Sequence, residues 1–315
     1  MIDGVRGTRA LEGENATKYL EITNIFHNVA QKYNFRYIKL PTIEKEELFT
    51  TSVGEDSELV TKQMYTFPDK KNRNLVLRPE GTAGVVRYHL ENKITDMKKY
   101  YYSEQMFRYE RPQKGRYREF HQVGAEILGY DTDSLKEIFT VIQLSNDFLE
   151  TCIPTNTKYT FQVNSIGDSD DRKKYNKKLK DYLTKYKSNL SEDSINRLDK
   201  NPLRILDSKD KNDILVLNEA PKFAEFRSKQ SKTKFDKLLN MLKESKIPYE
   251  ENELLVRGLD YYNDFTFEIV PNKSEGSQDA LGGGGQYDNL GMILGNKKIG
   301  AVGVAFGVDR IMELT

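Results

Sequence analysis

The stretch Phe107–Gln122, FRYERPQKGRYREFHQ, decides how the rest of the chain is interpreted. Between Arg108 and Arg118 it carries five basic side chains and a single acid, Glu110. Apolar or aromatic residues flank the charges, and a proline and a glycine lie in the middle, which predicts a strand, a turn and a second strand. Arginine forks on paired strands suit a polyphosphate, since each guanidinium grips phosphate oxygens in a fixed geometry. A solvated basic hairpin fits the stretch equally well.

The overall composition bounds the class of protein. The 315 residues allow a large domain with a smaller one, and 49 Lys and Arg balance 48 Asp and Glu, so any nucleic-acid surface must be local. Cys152 is the only cysteine and the three histidines are far apart, so we expect neither a disulfide nor a protein-held metal. The N-terminus lacks a signal peptide's apolar core, and no stretch approaches ~18 apolar residues. We therefore expect a soluble, cytoplasmic protein with no membrane segment.

The N-terminal third alternates helices and strands. Residues 14–34 have apolar side chains at helical spacing, and residues 35–40 alternate like a strand that ends at Pro41. This helix and strand form either an oligomer surface or an ordinary core-facing pair. Residues 75–77 predict a strand that leads into Arg78, Glu80 and Thr82, and binding residues gather at such strand ends. Glu80 could also be the salt-bridge partner of a neighbouring arginine.

Two later features add to the basic stretch. Gln122, Gly124 and Glu126 share one face of a strand by its period of two. Residues 169–235 are rich in lysine and poor in strand patterns, and 14 Lys and 4 Arg against 11 acids give them a charge of +7, which leaves −6 for the rest. This composition predicts an inserted helical subdomain that is either a nucleic-acid surface or a solvated insertion.

The C-terminal part returns to strands. We expect a helix over residues 236–245, a short polar stretch over 248–253, and strands over 254–262 and 265–270. A glycine run at 282–285 allows close backbone approach. Residues 301–314 predict a strand, a glycine break and a helix start, with Arg310 placed where it could meet an anion. Neither a P-loop nor a Rossmann glycine motif is present, so a bound nucleotide would be held by arginines.

Together these motifs resemble the catalytic region of a histidyl-tRNA synthetase, a class II aminoacyl-tRNA synthetase. The N-terminal helix, the strand and Pro41 resemble class II motif 1, Phe107–Gln122 resembles motif 2, and Gly303–Leu314 resembles motif 3. Two further segments are specific to histidine: LVRGLDYY at 255–262 and GGQYD at 284–288. Residues 78–82 and 201–209 also fit the family, so the resemblance covers essentially the whole chain.

The resemblance implies roles for individual residues. Arg108 would bind the ATP α-phosphate and Arg310 the γ-phosphate, and Arg257 would take the place that a catalytic metal occupies in other class II enzymes. The other ATP-binding residues it implies are Glu110, Arg116 and Phe120, with Phe120 stacked on adenine. The histidine-binding residues it implies are Glu80, Thr82, Gln122, Glu126, Tyr262 and Tyr287. Those facing the tRNA acceptor end are Arg111 and Gln113.

The resemblance also implies an architecture and partners. The fold would be α+β, a mostly antiparallel sheet of six or seven strands flanked by helices. Residues 1–168 and 236–315 would form the catalytic domain around a helical insertion at 169–235. A homodimer would form through the N-terminal helix and strand. ATP would be used with a pyrophosphate-bound Mg²⁺, and the substrates would be L-histidine and tRNA(His).

The sequence departs from the family pattern in four places. Gln286 stands where an arginine is usual, which predicts a nearby carboxylate without a charge partner, and Asn289 stands where glycine is usual. The RG pair at Arg6 and Gly7 lacks the acid that often follows it. The resemblance stops after motif 3 at Thr315, before the α/β anticodon-binding domain of full-length enzymes.

One alternative belongs to a different functional class. Non-catalytic paralogues of these enzymes sense histidine as regulatory subunits of ATP phosphoribosyltransferase and lack the anticodon domain. They typically degrade the RGLDYY motif and the ATP arginines, whereas Arg108, Arg257 and Arg310 are all present here. The intact arginines favour the enzyme.

Overall fold

The computed structural model describes residues 2–55, 57–259, 261–272 and 280–315. Helix α1 (Gly13–Lys32) comes first and buries an apolar stripe that includes Phe26 and Val29. The elements that follow, up to the central sheet, are short: β1 (Arg36–Tyr37), β2 (Ile43–Lys45), α2 (Glu46–Val53), a π-helical turn (Leu59–Gln63), β3 (Tyr65–Pro68), β4 (Asn74–Leu77) and α3 (Thr82–Glu91).

The two long central strands enclose the basic stretch. They are β5 (Lys98–Phe107) and β6 (Glu119–Tyr130), which pair antiparallel from Lys98 opposite Leu128 to Phe107 opposite Glu119. The predicted hairpin is therefore confirmed, but its strands stop at these residues. Residues 108–118 form the connecting loop, with Gly115 in the left-handed region at φ +68°. The arginines between Arg108 and Arg118 thus lie on this loop and not on the paired strands themselves.

The remainder of the chain alternates helical and extended segments. Its elements in order are α4 (Leu135–Cys152), β7 (Tyr159–Ser165), α5 (Ser169–Lys185), α6 (Glu192–Leu198), α7 (Lys211–Leu217), α8 (Lys229–Glu244), β8 (Tyr249–Glu251), β9 (Asn263–Pro271), β10 (Gly282–Gln286), α9 (Leu290–Gly295), β11 (Gly300–Gly307) and α10 (Val308–Met312). Short 3₁₀ turns at Lys187–Asn189, Pro202–Asp207 and Phe223–Phe226 connect α5 to α8.

The main sheet has eight strands in the order β1-β5-β6-β11-β10-β9-β7-β8. The six inner strands pair antiparallel, while the short edge strands β1 and β8 pair in parallel. The predicted α+β fold with a mostly antiparallel sheet is confirmed, but the count of six or seven strands is wrong because the edge strand β8 was expected to be a polar connection. A separate three-stranded sheet has the order β2-β4-β3.

The two faces of the main sheet serve different purposes because side chains alternate along each strand. On β6, Val123, Ala125 and Ile127 point into the principal apolar core with α1, α4 and α8. Gly124 and Glu126 therefore point to the opposite face. That face carries a second apolar cluster rich in tyrosine, which includes Tyr102.

Two predicted element boundaries are wrong. Helix α8 begins at Lys229 and not at residue 236, because Ser228 caps it by accepting from the backbone N–H of Ser231. Residues 254–259, 261 and 262 form a loop and not a strand. Their backbone is held by other groups, since Asn164 Nδ2 donates to the carbonyls of Glu253 and Leu255. Asp260, which the same prediction covers, lies outside the described residues.

The helical segment between β7 and α8 has its own apolar cluster. Side chains from α5, α6 and α7 pack together, among them Tyr175, Leu179, Leu198 and Leu217. Phe235, at the predicted boundary, packs instead into the principal core. The division into a catalytic domain and an insertion at 169–235 stays a prediction. In the part of the chain that the structure describes, no helix combines the length and the apolar character that a membrane crossing demands.

Phe148 tests the principal core. It is fully buried on α4, and its ring centre lies 5.0 Å from that of Phe26 and 4.9 Å from that of Phe306. Phe148→Ala should lower the free energy of unfolding by about 3–5 kcal/mol because it removes buried surface and leaves a cavity. Urea denaturation measures the change. The control Leu215→Ala, at an exposed position, should stay within about 0.5 kcal/mol, and an equal loss in both would contradict this description of the core.

Candidate active site

A cavity of about 610 Å³ opens on the tyrosine-rich face of the sheet. Its walls come from the sheet, from the loop that follows β5, from residues 57–63 and from the helical segment between β7 and α8. Ten of the predicted site residues line it: Glu80, Thr82, Arg108, Glu110, Arg116, Phe120, Gln122, Arg257, Tyr262 and Arg310. Residues far apart in the sequence therefore converge on one space.

Arg108, Arg116 and Arg310 form the basic part of the wall. Arg108 donates from Nε to the carbonyl of Pro79 at 2.8 Å, and its guanidinium lies 5.2 Å from the centre of the Phe120 ring. Arg116 pairs with Glu110. Arg310 donates from Nη1 to the carbonyl of Ala280 at 2.6 Å. These bonds fix each guanidinium at the cavity wall.

The electrostatic state of Arg310 shows how closely the charges are packed. Burial lowers the pKa of Arg310, and the neighbouring positive charges of Arg116 and Arg108 lower it further. A buried cation near like charges is stabilised by an anion placed among them. The basic wall is therefore suited to bind a polyanion such as a triphosphate.

Two buried carboxylates form the opposite part of the site. Glu80 accepts from the backbone N–H of Thr82 at 2.7 Å and of Ala83 at 2.9 Å, so it caps the start of α3. Glu126 accepts from the hydroxyl of Thr82 at 2.8 Å and from the Tyr287 hydroxyl. Tyr287 and Glu126 do not line the cavity itself; Glu126 is connected to it through the Thr82 hydroxyl, and Tyr287 through Glu126.

Burial perturbs both carboxylates. Desolvation raises the pKa of Glu80, although its hydrogen bonds to Ala83 and Thr82 counteract part of the effect. Desolvation also raises the pKa of Glu126 to about 8, since the nearby Glu80 adds to the effect and the bonds from Tyr287 and Thr82 only partly offset it. Glu80 at the cavity wall, with the buried carboxyl of Glu126 behind Thr82, favours a ligand with N–H donors or positive charge.

Close backbone approach explains one glycine of the site. A Cβ at Gly303 on β11 would lie 1.6 Å from Glu126 Oε2, so no larger residue fits there. Glu126 can lie flat against the neighbouring strand only because that position has no side chain.

Arg257 is held against the sheet by charge and shape. It pairs with Glu268 on β9, and its guanidinium lies 5.6 Å from the centre of the Tyr262 ring. Burial lowers the pKa of Arg257, but Glu268 together with Tyr262 and Tyr261 outweighs that effect and keeps the pKa raised. Its Nε is buried without a hydrogen-bond partner among the described residues. A Cβ at Gly283 would lie 2.5 Å from Nη1, so the glycine strand β10 makes room for this side chain.

Two predicted residues lie away from the cavity. Arg111 and Gln113 are exposed on the loop after β5 and do not line it. Gln113 pairs with Arg116 through their backbones to form the tip of that loop. Their proposed contact with the tRNA end stays a prediction, which an exposed position at the rim allows.

Several functional residues were not predicted. Tyr102 and Tyr261 line the cavity, and their hydroxyls reach Glu126 at 3.4 Å and Glu80 at 3.3 Å respectively. Arg204 also lines it and donates from Nη1 to the carbonyl of Arg257 at 3.2 Å. The period of two along β5 could have placed Tyr102 on the site face. Arg204 lies in the 201–209 segment, for which the sequence offered a resemblance but no role.

The expectation for Gln286 is wrong. Gln286 is buried and donates to the Tyr130 hydroxyl at 3.1 Å. Lys234 of α8 bonds the Gln286 side-chain oxygen at 3.4 Å and pairs with Asp264 at 2.8 Å. Lys234, from helix α8, therefore supplies the charge, and the nearby carboxylate of Asp264 has a partner. Asn289 precedes α9 with φ −78°, a conformation that any residue adopts.

Comparison with known proteins shows the family of the chain. A family model described as histidyl-tRNA synthetase matches residues 7–311. The chain belongs to the histidyl-tRNA synthetase family. The prediction of a class II aminoacyl-tRNA synthetase is confirmed, and the regulatory-subunit reading is not favoured.

Individual relatives show the extent of the similarity. A histidine–tRNA ligase of Francisella philomiragia is 44% identical over 314 residues, which cover 98% of this chain and 73% of that protein. One from Dictyoglomus thermophilum is 42% identical over 312 residues, covering 98% and 74%. The apo crystal structure of Staphylococcus aureus histidyl-tRNA synthetase is 31% identical with a TM-score of 0.78, and the match covers all of this chain and 73% of that one. The chain thus spans about three quarters of these relatives.

The perturbed carboxyl of Glu126 predicts a pH dependence of stability. The unfolded chain releases this proton near the usual 4.5, whereas the folded chain keeps it up to about pH 8. Stability from this group is therefore present below pH 4.5 and is lost as the pH rises to 8, by at most about 1.4 kcal/mol per pH unit. Glu126→Gln should flatten the decline of the unfolding free energy between pH 5 and pH 8, measured by urea denaturation.

The matched control for that series is Glu150→Gln, which changes an exposed glutamate at the end of α4. Its curve of unfolding free energy against pH should run parallel to that of the unchanged chain. If the Glu126→Gln curve also runs parallel, the carboxyl of Glu126 is ionised in the folded protein at neutral pH and the pKa assignment is wrong.

Proposed function

We propose that this chain activates L-histidine with ATP to form histidyl-adenylate and then transfers the histidyl group to tRNA(His). One observation carries the proposal: a single cavity brings the basic residues Arg108, Arg257 and Arg310 together with Glu80 and Thr82. The arginines suit a triphosphate and the acidic side suits an amino acid with N–H donors. Both substrates of the first step could therefore meet in this space.

In the first step the histidine carboxylate attacks the α-phosphorus of ATP. A carboxylate–phosphorus bond forms, the bond to the β-phosphate oxygen breaks, and pyrophosphate leaves. Two anions approach each other, so the enzyme must offset their repulsion and the charge that develops. Arg108 and Arg257 would do so electrostatically, as fixed charges that need no rearrangement during the reaction. Little acid–base chemistry is required.

Recognition of histidine would rest on the buried polar groups. Glu80 and Glu126 suit the amino group and the imidazole, with Gln122, Tyr262 and Tyr287 around them. A dry site built to bond substrate N–H groups rejects apolar analogues strongly, since the site groups would be left unpaired. The burial of Glu126 supports this role, because an analogue without N–H groups could not form a hydrogen bond with the buried carboxyl group.

In the second step a hydroxyl of the 3′-terminal ribose of tRNA attacks the carbonyl carbon of the adenylate. An ester bond forms, the bond from that carbon to the phosphate oxygen breaks, AMP leaves and the hydroxyl proton is released to solvent. Arg111 and Gln113 would contact the acceptor end, which their exposure at the loop tip supports. The net charge of +7 over residues 169–235 would help to hold the tRNA backbone. Arg197, Lys200 and Arg204 of that segment line the cavity, which supports an approach of tRNA from this side.

Three further parts of the proposal concern Mg²⁺, assembly and location. Mg²⁺ would bind through the pyrophosphate oxygens and not in a protein cage; among the described residues no group of three or more ligating side chains was found. A homodimer would form through α1 and β1, which expose Leu20 and Tyr37 to solvent. A cytoplasmic location fits tRNA charging, which supplies ribosomes.

Histidine-dependent exchange of labelled pyrophosphate into ATP tests the proposal directly. Exchange should require histidine and Mg²⁺ and should be absent with phenylalanine. A well-folded chain that binds histidine but shows no exchange above background would overturn the enzymatic proposal in favour of a histidine sensor.

Substitution of Arg257 separates an effect on the reaction rate from an effect on histidine binding. Arg257→Ala should lower the rate of adenylate formation by about 10²–10³-fold, because it removes a charge aimed at the reacting phosphate. Histidine affinity, measured by isothermal titration, should change far less. The control Arg73→Ala removes an arginine that pairs locally with Asp69 at the surface and should leave both quantities unchanged. Comparable losses of rate and affinity in Arg257→Ala would show that this arginine positions substrate.

A further inference from the structure

The N-terminal segment lies across the base of the loop that follows β5. The backbone N–H of Arg118 donates to the carbonyl of Gly7 at 2.7 Å, and Thr8 folds back by donating to the carbonyl of Val5. Gly7 has φ +86°, and a Cβ there would lie 2.8 Å from the Arg118 side chain and 3.0 Å from Pro112. Glycine is therefore required for this close contact. The N-terminal segment therefore packs specifically against the loop after β5.

Arg9, two residues after Gly7, connects the N-terminal segment to two further parts of the site. Its Nη2 donates to Asp309 Oδ1 at 2.6 Å, and its guanidinium lies 4.0 Å from the centre of the Tyr117 ring. Arg9 thus joins the loop after β5 to the start of α10. Its two partners are 108 and 300 residues away in the sequence, so no local pattern reveals the contact.

Asp309 is the centre of the arrangement. Its side chain is buried, and its Oδ2 accepts from the backbone N–H of His121 at 2.7 Å, with the His121 ring nitrogen Nδ1 at 3.6 Å. Burial alone would raise the pKa of Asp309, but the hydrogen bonds from His121 and Arg9 outweigh it and keep the pKa lowered. Asp309 is therefore a carboxylate held in place on both oxygens.

The sequence neighbours of His121 and Asp309 are residues of the cavity wall. His121 lies between Phe120 and Gln122 on β6, and by the period of two both neighbours point to the cavity. Asp309 immediately precedes Arg310 on α10. Fixing the His121 backbone to Asp309 therefore fixes Phe120 and Gln122 relative to Arg310.

We propose that Arg9 and Asp309 are positioning residues, which hold the proposed adenine-stacking Phe120 and the γ-phosphate arginine Arg310 at the spacing that ATP requires. The inference rests on the proposed ATP-dependent function. It assigns a role to the N-terminal RGTR segment, which the active-site residues do not otherwise explain. Neither Arg9 nor Asp309 needs to touch a reacting atom.

The test compares three variants in the pyrophosphate-exchange assay. Arg9→Ala should raise the KM for ATP about tenfold, the loss expected for one hydrogen bond between charged groups, and the KM for histidine should stay within about twofold. Arg9→Lys should give an intermediate KM for ATP, because it keeps the charge near Asp309 but loses the planar contact with Tyr117. Asp309→Asn keeps an acceptor for His121 but loses the charge, so its KM for ATP should also rise.

Arg6→Ala is the matched control. Arg6 is an exposed arginine three residues away, and its side chain forms no hydrogen bond or ion pair with the described residues. The Arg6→Ala substitution removes the same charge from the same segment and should leave the KM values for ATP and for histidine unchanged. Equal increases in the two KM values for Arg9→Ala, or a lower melting temperature with unchanged KM values, would overturn the inference, since either result means general stabilisation only.

A direct measurement separates this inference from the proposed function. Isothermal titration with ATP reads affinity without turnover, so Arg9→Ala should weaken ATP binding about tenfold even if exchange is absent. If the unchanged chain binds ATP but shows no pyrophosphate exchange, the enzymatic proposal alone is overturned. If the unchanged chain and Arg9→Ala bind ATP with equal affinity, the positioning role alone is overturned. Absence of ATP binding by the unchanged chain would overturn both.

Discussion

The alternation of side chains along β6 is the constraint on which the site depends. Val123, Ala125 and Ile127 anchor the strand in the principal core, so Gln122 and Glu126 have no choice but to face the cavity side. A shift of one residue in register would exchange the two sets and place a carboxylate in the core, at a cost that no partner there offsets. The packing that stabilises the fold therefore also places the polar residues of the site.

Glycines on the neighbouring strands β10 and β11 make room for two side chains of the site. β11 presents Gly303 where Glu126 lies, and β10 presents Gly283 where Arg257 lies. Both strands sit in the middle of the sheet, where a side chain would normally contribute packing. Here the absence of side chains lets two ionisable groups lie against the backbone. Stability given up locally is offset by the aromatic and aliphatic core on the other face.

Sequence reasoning recovered the parts of the site that lie in continuous motifs. Arg108, Glu110, Arg116 and Phe120 could be found because one short stretch contains them, and the structure brings them to one cavity. Contacts between distant segments could not be found, because nothing local marks Arg9 as the partner of Asp309. The described residues between β8 and β9 were predicted to be a strand because their apolar side chains imitate the pattern. In the structure, bonds from the Asn164 side chain replace a neighbouring strand.

The charges at the cavity explain why the site is held from several directions. Arg108, Arg116 and Arg310 repel one another; burial lowers the pKa of Arg310, and this repulsion lowers it further. The only acid within the loop after β5 is Glu110. Glu110 pairs with Arg116, so the unliganded wall keeps one local counter-charge while Arg108 and Arg310 are tied to carbonyl groups of Pro79 and Ala280. Carbonyl dipoles hold a guanidinium in place without neutralising it. A polyanion entering the cavity therefore meets cations that are already oriented, and its binding relieves a repulsion that the fold itself maintains.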